Sequence, residues 1–180
     1  RDQLIAITDN SLKGYRDRAL LLFAYDSMRR RSELCACQWT DISTNLDGTG
    51  SWFLQFSKSN QEGYGKHIPL TVETMKALQA WQDKAQLKDG KVLRVFLRHQ
   101  QIGPSLNTSH IAKIFKTLAK KANLNESAKR DISGHSACVG HAHDLLKEGK
   151  SLPQIMVAGS CKSTDIVLRY IEDSNLVAHN

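Results

Sequence analysis

Apolar residues recur at helical spacing over most of the chain. In residues 15–28 they form a broad stripe of helical register, and Gly14 marks a break before it. Residues 109–122 give the clearest amphipathic pattern, with lysines on the polar side. The apolar side of that segment carries Ile111, Ile114, Phe115, Leu118, Ala119 and Ala122. Both segments predict helices.

The middle of the chain has a different pattern. Residues 52–56 and 67–70 are rich in apolar and aromatic side chains, and the turn-forming segment 60–65 separates them. This arrangement predicts a hairpin or small antiparallel sheet. Thr71 is then placed to cap a helix. Residues 92–97 are a short apolar segment that fits either a helix or a strand.

The C-terminal third predicts three short helices, near residues 136–148, 153–158 and 164–172. Gly149 ends the first, and Pro153 suits the opening turn of the second. Taken together, these elements predict a mainly α-helical α+β fold with one small antiparallel β-sheet.

Composition narrows the class of protein. A length of 180 residues with 41% hydrophobic content suits one globular domain, or at most one domain with a short tail. A formal charge of +7 favours a polyanionic partner, nucleic acid ahead of a membrane. No apolar run approaches the roughly 18 residues of a membrane span, and no signal peptide is evident, so we expect no membrane partner.

The four cysteines, Cys35, Cys37, Cys138 and Cys161, are irregularly spaced. Such spacing does not indicate a disulfide framework and favours a reducing, intracellular setting. The pair at 35 and 37 is interpreted as core packing and not as a redox motif.

Four features of the sequence could together cleave a phosphodiester without a metal. That reaction needs a nucleophile, cations or donors for the phosphate oxygens, and an acid for the leaving oxygen. The chain offers an arginine-rich stretch from 28 to 34 and then Lys58. His135 follows within Ser-Gly-His-Ser-Ala-Cys-Val-Gly, and Tyr170 ends the series on a predicted helix.

With these motifs in that order, residues 15–172 resemble the catalytic domain of the tyrosine recombinases, the phage integrase family. The similarity is densest in residues 133–140, 154–159 and 166–171. The resemblance implies one catalytic, C-terminal domain over residues 1–180, with the family's N-terminal core-binding domain outside this chain. It also implies cutting and rejoining of double-stranded DNA through a 3′-phosphotyrosyl intermediate, without metal or cofactor. A homotetramer on paired DNA sites in the cytoplasm is the implied assembly.

The resemblance also assigns roles to individual residues. Arg30 matches the arginine that holds the scissile phosphate, and Glu33, three residues later, matches the acidic residue that supports it. Lys58 matches the lysine that protonates the 5′-oxygen. His135 matches the first residue of the family's His-x-x-Arg box, and Tyr170 matches the nucleophile. The neighbouring arginines at 29 and 31 make the register depend on the Arg-x-x-Glu spacing.

Two positions depart from the family pattern. Cys138 stands where the box has its arginine, and Cys161 stands where the family usually has histidine or tryptophan. A thiol is a weak donor without fixed positive charge. Loss of one preorganised donor costs a factor of about 10²–10³ in rate, so we expect impaired cleavage. The alternative is a catalytically silenced relative that binds DNA or assembles with an active partner.

Simpler interpretations stand beside these. Tyr170 could be a half-buried core residue, and the lysines of 113–121 could be a plain solvated surface as readily as a phosphate-binding face. A zinc site could be imagined from His135, Cys138, His141, His143 and Cys161. Zinc motifs usually have paired, tighter spacings, so the sequence favours no metal.

Overall fold

The computed structural model describes residues 1–55, 65–124, 136–159, 164–165 and 167–168. Its helices are α1 (Asp2–Ala6), α2 (Leu12–Ser27), α3 (Arg31–Ala36), α4 (Val72–Lys84), α5 (Thr108–Lys121), α6 (Ser136–Lys147) and α7 (Leu152–Gly159). Its strands are β1 (Ile42–Thr44), β2 (Gly50–Leu54) and β3 (Lys66–Leu70). The predicted fold class, mainly helical with a small antiparallel sheet, is confirmed.

The three strands form one antiparallel sheet in the order β1-β2-β3. Trp52 pairs with Ile68 at its centre, and both side chains are buried against the helices. Phe53 and His67 point to the opposite, exposed face, as strand alternation requires. β2 begins two positions earlier than the predicted strand 52–56, and Phe56 lies outside the described residues. β1 was not predicted, because only one of its three residues is apolar.

Helix α2 runs through the middle of the protein. Every residue from 19 to 25 is buried, so this helix is covered on all sides and not on one stripe alone. The break predicted at Gly14 is wrong: α2 begins at Leu12, capped by the Ser11 hydroxyl, which accepts from the Gly14 amide at 3.1 Å. The glycine is required there because a Cβ would lie 2.0 Å from the Asp9 carbonyl oxygen.

Two hydrophobic clusters hold the helices together. The larger one joins α2, α4, α5 and the sheet. The smaller one, here called the second core, consists of Met28, Cys138, Ala142, Ile155 and Val167. Met28 ends α2 in the left-handed conformation, with φ of 50°, and so carries the chain from the first cluster to the second. The C-terminal helices are therefore attached to the body of the protein through the end of α2.

The remaining elements follow local signals closely. The Thr71 hydroxyl caps α4 as predicted, accepting from the Thr74 amide at 3.3 Å. α5 buries its apolar face and exposes its lysines. Residues 92–97 form neither a helix nor a strand; Val92 and Leu93 are core residues in an irregular segment.

The predicted helix 164–172 falls mostly outside the described residues, although 164–165 and 167–168 are helical. Among the helices that the structure describes, none has the length and hydrophobicity to cross a bilayer.

Candidate active site

Three of the seven predicted site residues belong to the described part of the chain: Arg30, Glu33 and Cys138. They come from two regions of the fold, the α2–α3 turn and the first turns of α6. The other four, listed here together, lie outside the described residues: Lys58, His135, Cys161 and Tyr170. Their convergence on one cleft stays a prediction.

Glu33 fixes the turn that carries Arg30. Its side chain is only 10% exposed, and its carboxylate accepts a hydrogen bond from the Arg30 backbone amide at 2.9 Å. The Arg30 guanidinium lies 3.7 Å from the same carboxylate, and the Arg30 side chain is 53% exposed. Because Arg30 is the residue before α3, the carboxylate satisfies an amide that the helix leaves without a helical partner. Glu33 thus fixes the Arg30 backbone amide, while the Arg30 side chain stays half exposed.

The three consecutive arginines point to three different places. Arg29 is buried, 3% exposed, and reaches α7. Arg31 is exposed, and its Nη1 donates to the Thr108 carbonyl of α5 at 3.4 Å. Only Arg30 combines an exposed guanidinium with a contact to Glu33. The register that the Arg-x-x-Glu spacing favours, with Arg30 as the phosphate ligand, stays a prediction.

Cys138 is a buried residue of the second core. It is 5% exposed, and its Sγ lies 3.9 Å from the Arg29 carbonyl oxygen. Met28 and Ile155 belong to the same apolar cluster. A thiol at this position satisfies the packing but supplies no fixed positive charge.

Two cations meet the carboxyl end of α7. The Arg29 Nη2 donates to the Ala158 carbonyl at 2.6 Å, and the Lys66 Nζ donates to the Val157 carbonyl at 3.0 Å. Partial burial lowers the pKa of Lys66, and the nearby Arg29 charge lowers it further. The end of a helix carries partial negative charge, which both cations complement.

The sequence does not predict this pair, because Arg29 stands out only as a neighbour of Arg30 and Lys66 belongs to no motif. The contacts join residues far apart in the chain, and an arginine or lysine beside a turn or strand is ordinarily solvated. No local signal identifies such a contact.

His141, one of the imagined zinc ligands, is engaged elsewhere. Its ring stacks on Tyr25 with centroids 4.5 Å apart, and its Nδ1 donates to the Tyr25 carbonyl at 2.6 Å. Within the described ranges, no three histidine, cysteine or acidic side chains come together as a metal site would require. His135 and Cys161 are outside those ranges.

Comparison with known proteins identifies the family of this chain. The model of the phage integrase family matches residues 1–176. The chain is 30% identical over 179 residues to "Integrase/recombinase xerD homolog" of Selenomonas ruminantium, covering 96% of this chain and 51% of that protein. It is 28% identical over 185 residues to "Recombinase cre" of Escherichia phage P1, covering 96% and 54%. The chain thus spans about half the length of both relatives.

The fold agrees with this assignment. The chain superposes with a TM-score of 0.72 on the XerH site-specific recombinase bound to difH substrate, solved as a pre-cleavage complex. That alignment covers 97% of this chain and 49% of the other, at 15% identity. At this identity the likeness concerns the fold alone. Together with the match over residues 1–176, it leads to one conclusion: the chain belongs to the phage integrase family.

Proposed function

We propose that this chain is the catalytic domain of a tyrosine recombinase that cuts and rejoins double-stranded DNA, with a cleavage step impaired by Cys138 and Cys161. The family match over residues 1–176 carries the proposal. The Arg30–Glu33 turn supports it, because a half-exposed guanidinium fixed through its backbone suits a phosphate ligand.

In the proposed reaction the Tyr170 hydroxyl loses its proton to solvent, and its oxygen attacks the scissile phosphorus. A phosphotyrosine bond forms as the bond to the 5′-oxygen breaks, and that oxygen takes a proton from Lys58. Arg30 and His135 bind the non-bridging oxygens. They balance the negative charge there while the tyrosine oxygen replaces the 5′-oxygen on the phosphorus. The phosphotyrosine keeps the bond energy, so a 5′-hydroxyl can reverse the step and rejoin the strand.

The position of Cys138 is the reason to expect slow cleavage. The thiol is buried in an apolar cluster and faces the Arg29 backbone, so it offers the phosphate neither charge nor a strong donor. An arginine would provide a charged, bidentate ligand. We expect the deficit to be at least the factor of about 10²–10³ that one preorganised donor contributes.

The same observation supports a second function. A domain whose box position is buried in the second core could retain DNA binding without cleavage. It would then occupy sites or assemble with an active partner. This role needs the exposed cations of α5 and the α2–α3 turn, but it does not need Tyr170.

DNA is the proposed partner under both functions. The excess of positive charge, +7, and the exposed lysines of α5 favour it. The XerH structure contains its difH substrate, and a lambda integrase dimer with the same fold is bound to a COC′ core site. For the full-length protein we propose a homotetramer on paired sites.

A cleavage assay separates the two functions. The substrate is a nicked duplex. Its short leaving strand diffuses away after cleavage, so the covalent protein–DNA product is trapped. We expect the Cys138→Arg variant to form that product at least about 10²-fold faster than the original chain, and Tyr170→Phe in the Cys138→Arg background to form none. Equal rates for the original chain and Cys138→Arg would refute the impairment.

DNA affinity, measured across a salt series, completes the test. Salt-dependent binding without covalent product in any variant would favour the silenced relative. Absence of binding at low salt would contradict both functions, because each requires contacts to the phosphate backbone.

A further inference from the structure

We propose that Arg29 and Lys66 are positioning residues that hold the carboxyl end of α7 and thereby fix the point at which the chain leaves toward Cys161 and Tyr170. This inference rests on the proposed function, because it assigns the pair to the same cleavage reaction. Neither residue has a role in the motifs described above. We name the contact made by these two side chains the α7 clamp.

Two side chains bind the carboxyl end of α7. Val157 and Ala158 are the residues just before Gly159, which ends α7, and the carbonyl oxygen of each accepts a hydrogen bond from a different cation. Lys66 comes from the first position of β3, and Arg29 comes from the α2–α3 turn. The end of α7 is therefore tied to two separate elements.

Arg29 is fixed by more than its contact with α7. Arg29 is almost fully buried, and its Nε also donates to the Ser27 carbonyl at 2.6 Å. A guanidinium held between two backbone carbonyls is a rigid connector and not a mobile surface cation. It links the residue next to Arg30 directly to α7.

The end of α7 also complements the charge of the clamp. Burial and the neighbouring Arg29 charge lower the pKa of Lys66, and both cations contact carbonyl oxygens at the partially negative end of the helix.

The chain that follows α7 leads to the proposed nucleophile. Cys161 follows Gly159 after a single intervening residue, and Tyr170 follows in the next segment. Arg30 is adjacent to Arg29. Through the Arg29 side chain, the clamp thus links Arg30, the proposed phosphate ligand, to the start of the segment that carries Tyr170. A displacement of about 1 Å in such an arrangement costs on the order of 10²-fold in rate.

Amide exchange is measured in the original full chain, because Cys138 shares the second core with Ile155 of α7. Cleavage is measured with Cys138→Arg as the reference, so that product formation is measurable. Arg29→Met and Lys66→Met remove the two donors, and Lys66→Arg conserves one of them. Arg31→Met is the matched control for amide exchange, because Arg31 lies in the same turn but contacts α5. Hydrogen–deuterium exchange of peptides covering α7 is measured first, without DNA.

We expect Arg29→Met to raise exchange at the α7 amides at least about tenfold while the α2 and α4 amides keep their rates. Lys66→Met should give a smaller increase, Lys66→Arg should restore protection, and Arg31→Met should leave α7 exchange unchanged. Unchanged α7 exchange in Arg29→Met, or a uniform increase over all helices, would overturn the clamp.

Covalent-product formation on the nicked duplexes tests the positioning role. We expect Arg29→Met to lower the single-turnover rate at least about tenfold at saturating protein, with unchanged DNA affinity. If the reference cleaves and Arg29→Met cleaves equally fast, the inference is overturned and the proposed function is left intact. A reference that forms no product would overturn the proposed function, and with it the positioning role, while the exchange data would still decide whether the clamp exists.

Discussion

Replacing Glu33 tests whether its main task is to hold a backbone amide or to pair with a charge. The carboxylate does both: it accepts from the Arg30 amide at 2.9 Å and lies 3.7 Å from the Arg30 guanidinium. The cap contact is worth about 0.5–2 kcal/mol. The ion pair is worth only about 0–1 kcal/mol, because the guanidinium is half exposed and water screens it.

Two variants separate these contributions. Glu33→Gln keeps an oxygen that accepts from the Arg30 amide and loses only the charge, so we expect its free energy of unfolding to fall by less than about 1 kcal/mol. Glu33→Ala loses both contacts and leaves a small void, so we expect a loss of about 1–3 kcal/mol. Urea denaturation followed by circular dichroism gives both values.

The relative losses of unfolding free energy in the two variants show whether the cap or the charge holds the turn. If Glu33→Gln destabilises the protein as much as Glu33→Ala, the charge and not the cap holds the turn, and the reasoning is wrong. If neither variant changes stability, the carboxylate does not organise the turn. The expected order would mean that Glu33 sets the backbone from which Arg30 projects.

Two further perturbations examine the second core and a buried carboxyl. Ile155→Ala should cost about 2–5 kcal/mol in urea denaturation because its side chain is buried, whereas Val157→Ala, 67% exposed in the same helix, should stay within about 0.5 kcal/mol; equal losses would contradict the packing of α7. Burial raises the pKa of Asp17, although Arg16 opposes this shift, so the folded state binds the proton more tightly than the unfolded chain. The stability that this tighter proton binding contributes is fully present below pH 3.8, the pKa of Asp17 in the unfolded chain. It is lost as the pH rises through the folded-state pKa. Relative to Asp17→Asn, the original chain should therefore lose stability with rising pH, and a relative gain would contradict this sign.

The sequence predicts well those elements whose signals are local. The capped start of α4 at Thr71 and the amphipathic face of α5 depend on residues within a few positions of one another. β1 is too short to show alternation. The break predicted at Gly14 is wrong because the glycine is needed for a close approach of the Asp9 backbone, which composition cannot reveal.

The candidate site shows the same division. The Arg30–Glu33 contact spans three positions and follows from a motif. The contact of Arg29 with Ala158 joins residues 129 positions apart and follows only from the way α7 packs on the end of α2. Residues that act across such distances are found from a structure and not from spacing.

Cys138 shows why family membership and activity must be argued from different residues. Its side chain packs with Met28 and Ile155 in the second core, and a small apolar thiol meets the steric demand of that cluster. Packing determines the fold, so the fold is retained with cysteine at this position. The phosphate, in contrast, responds to charge and directed donors, which a buried thiol lacks. Arg29 brings a buried cation beside the same cluster, where its Nε and Nη2 donate to the Ser27 and Ala158 carbonyls and tie α7 to the end of α2.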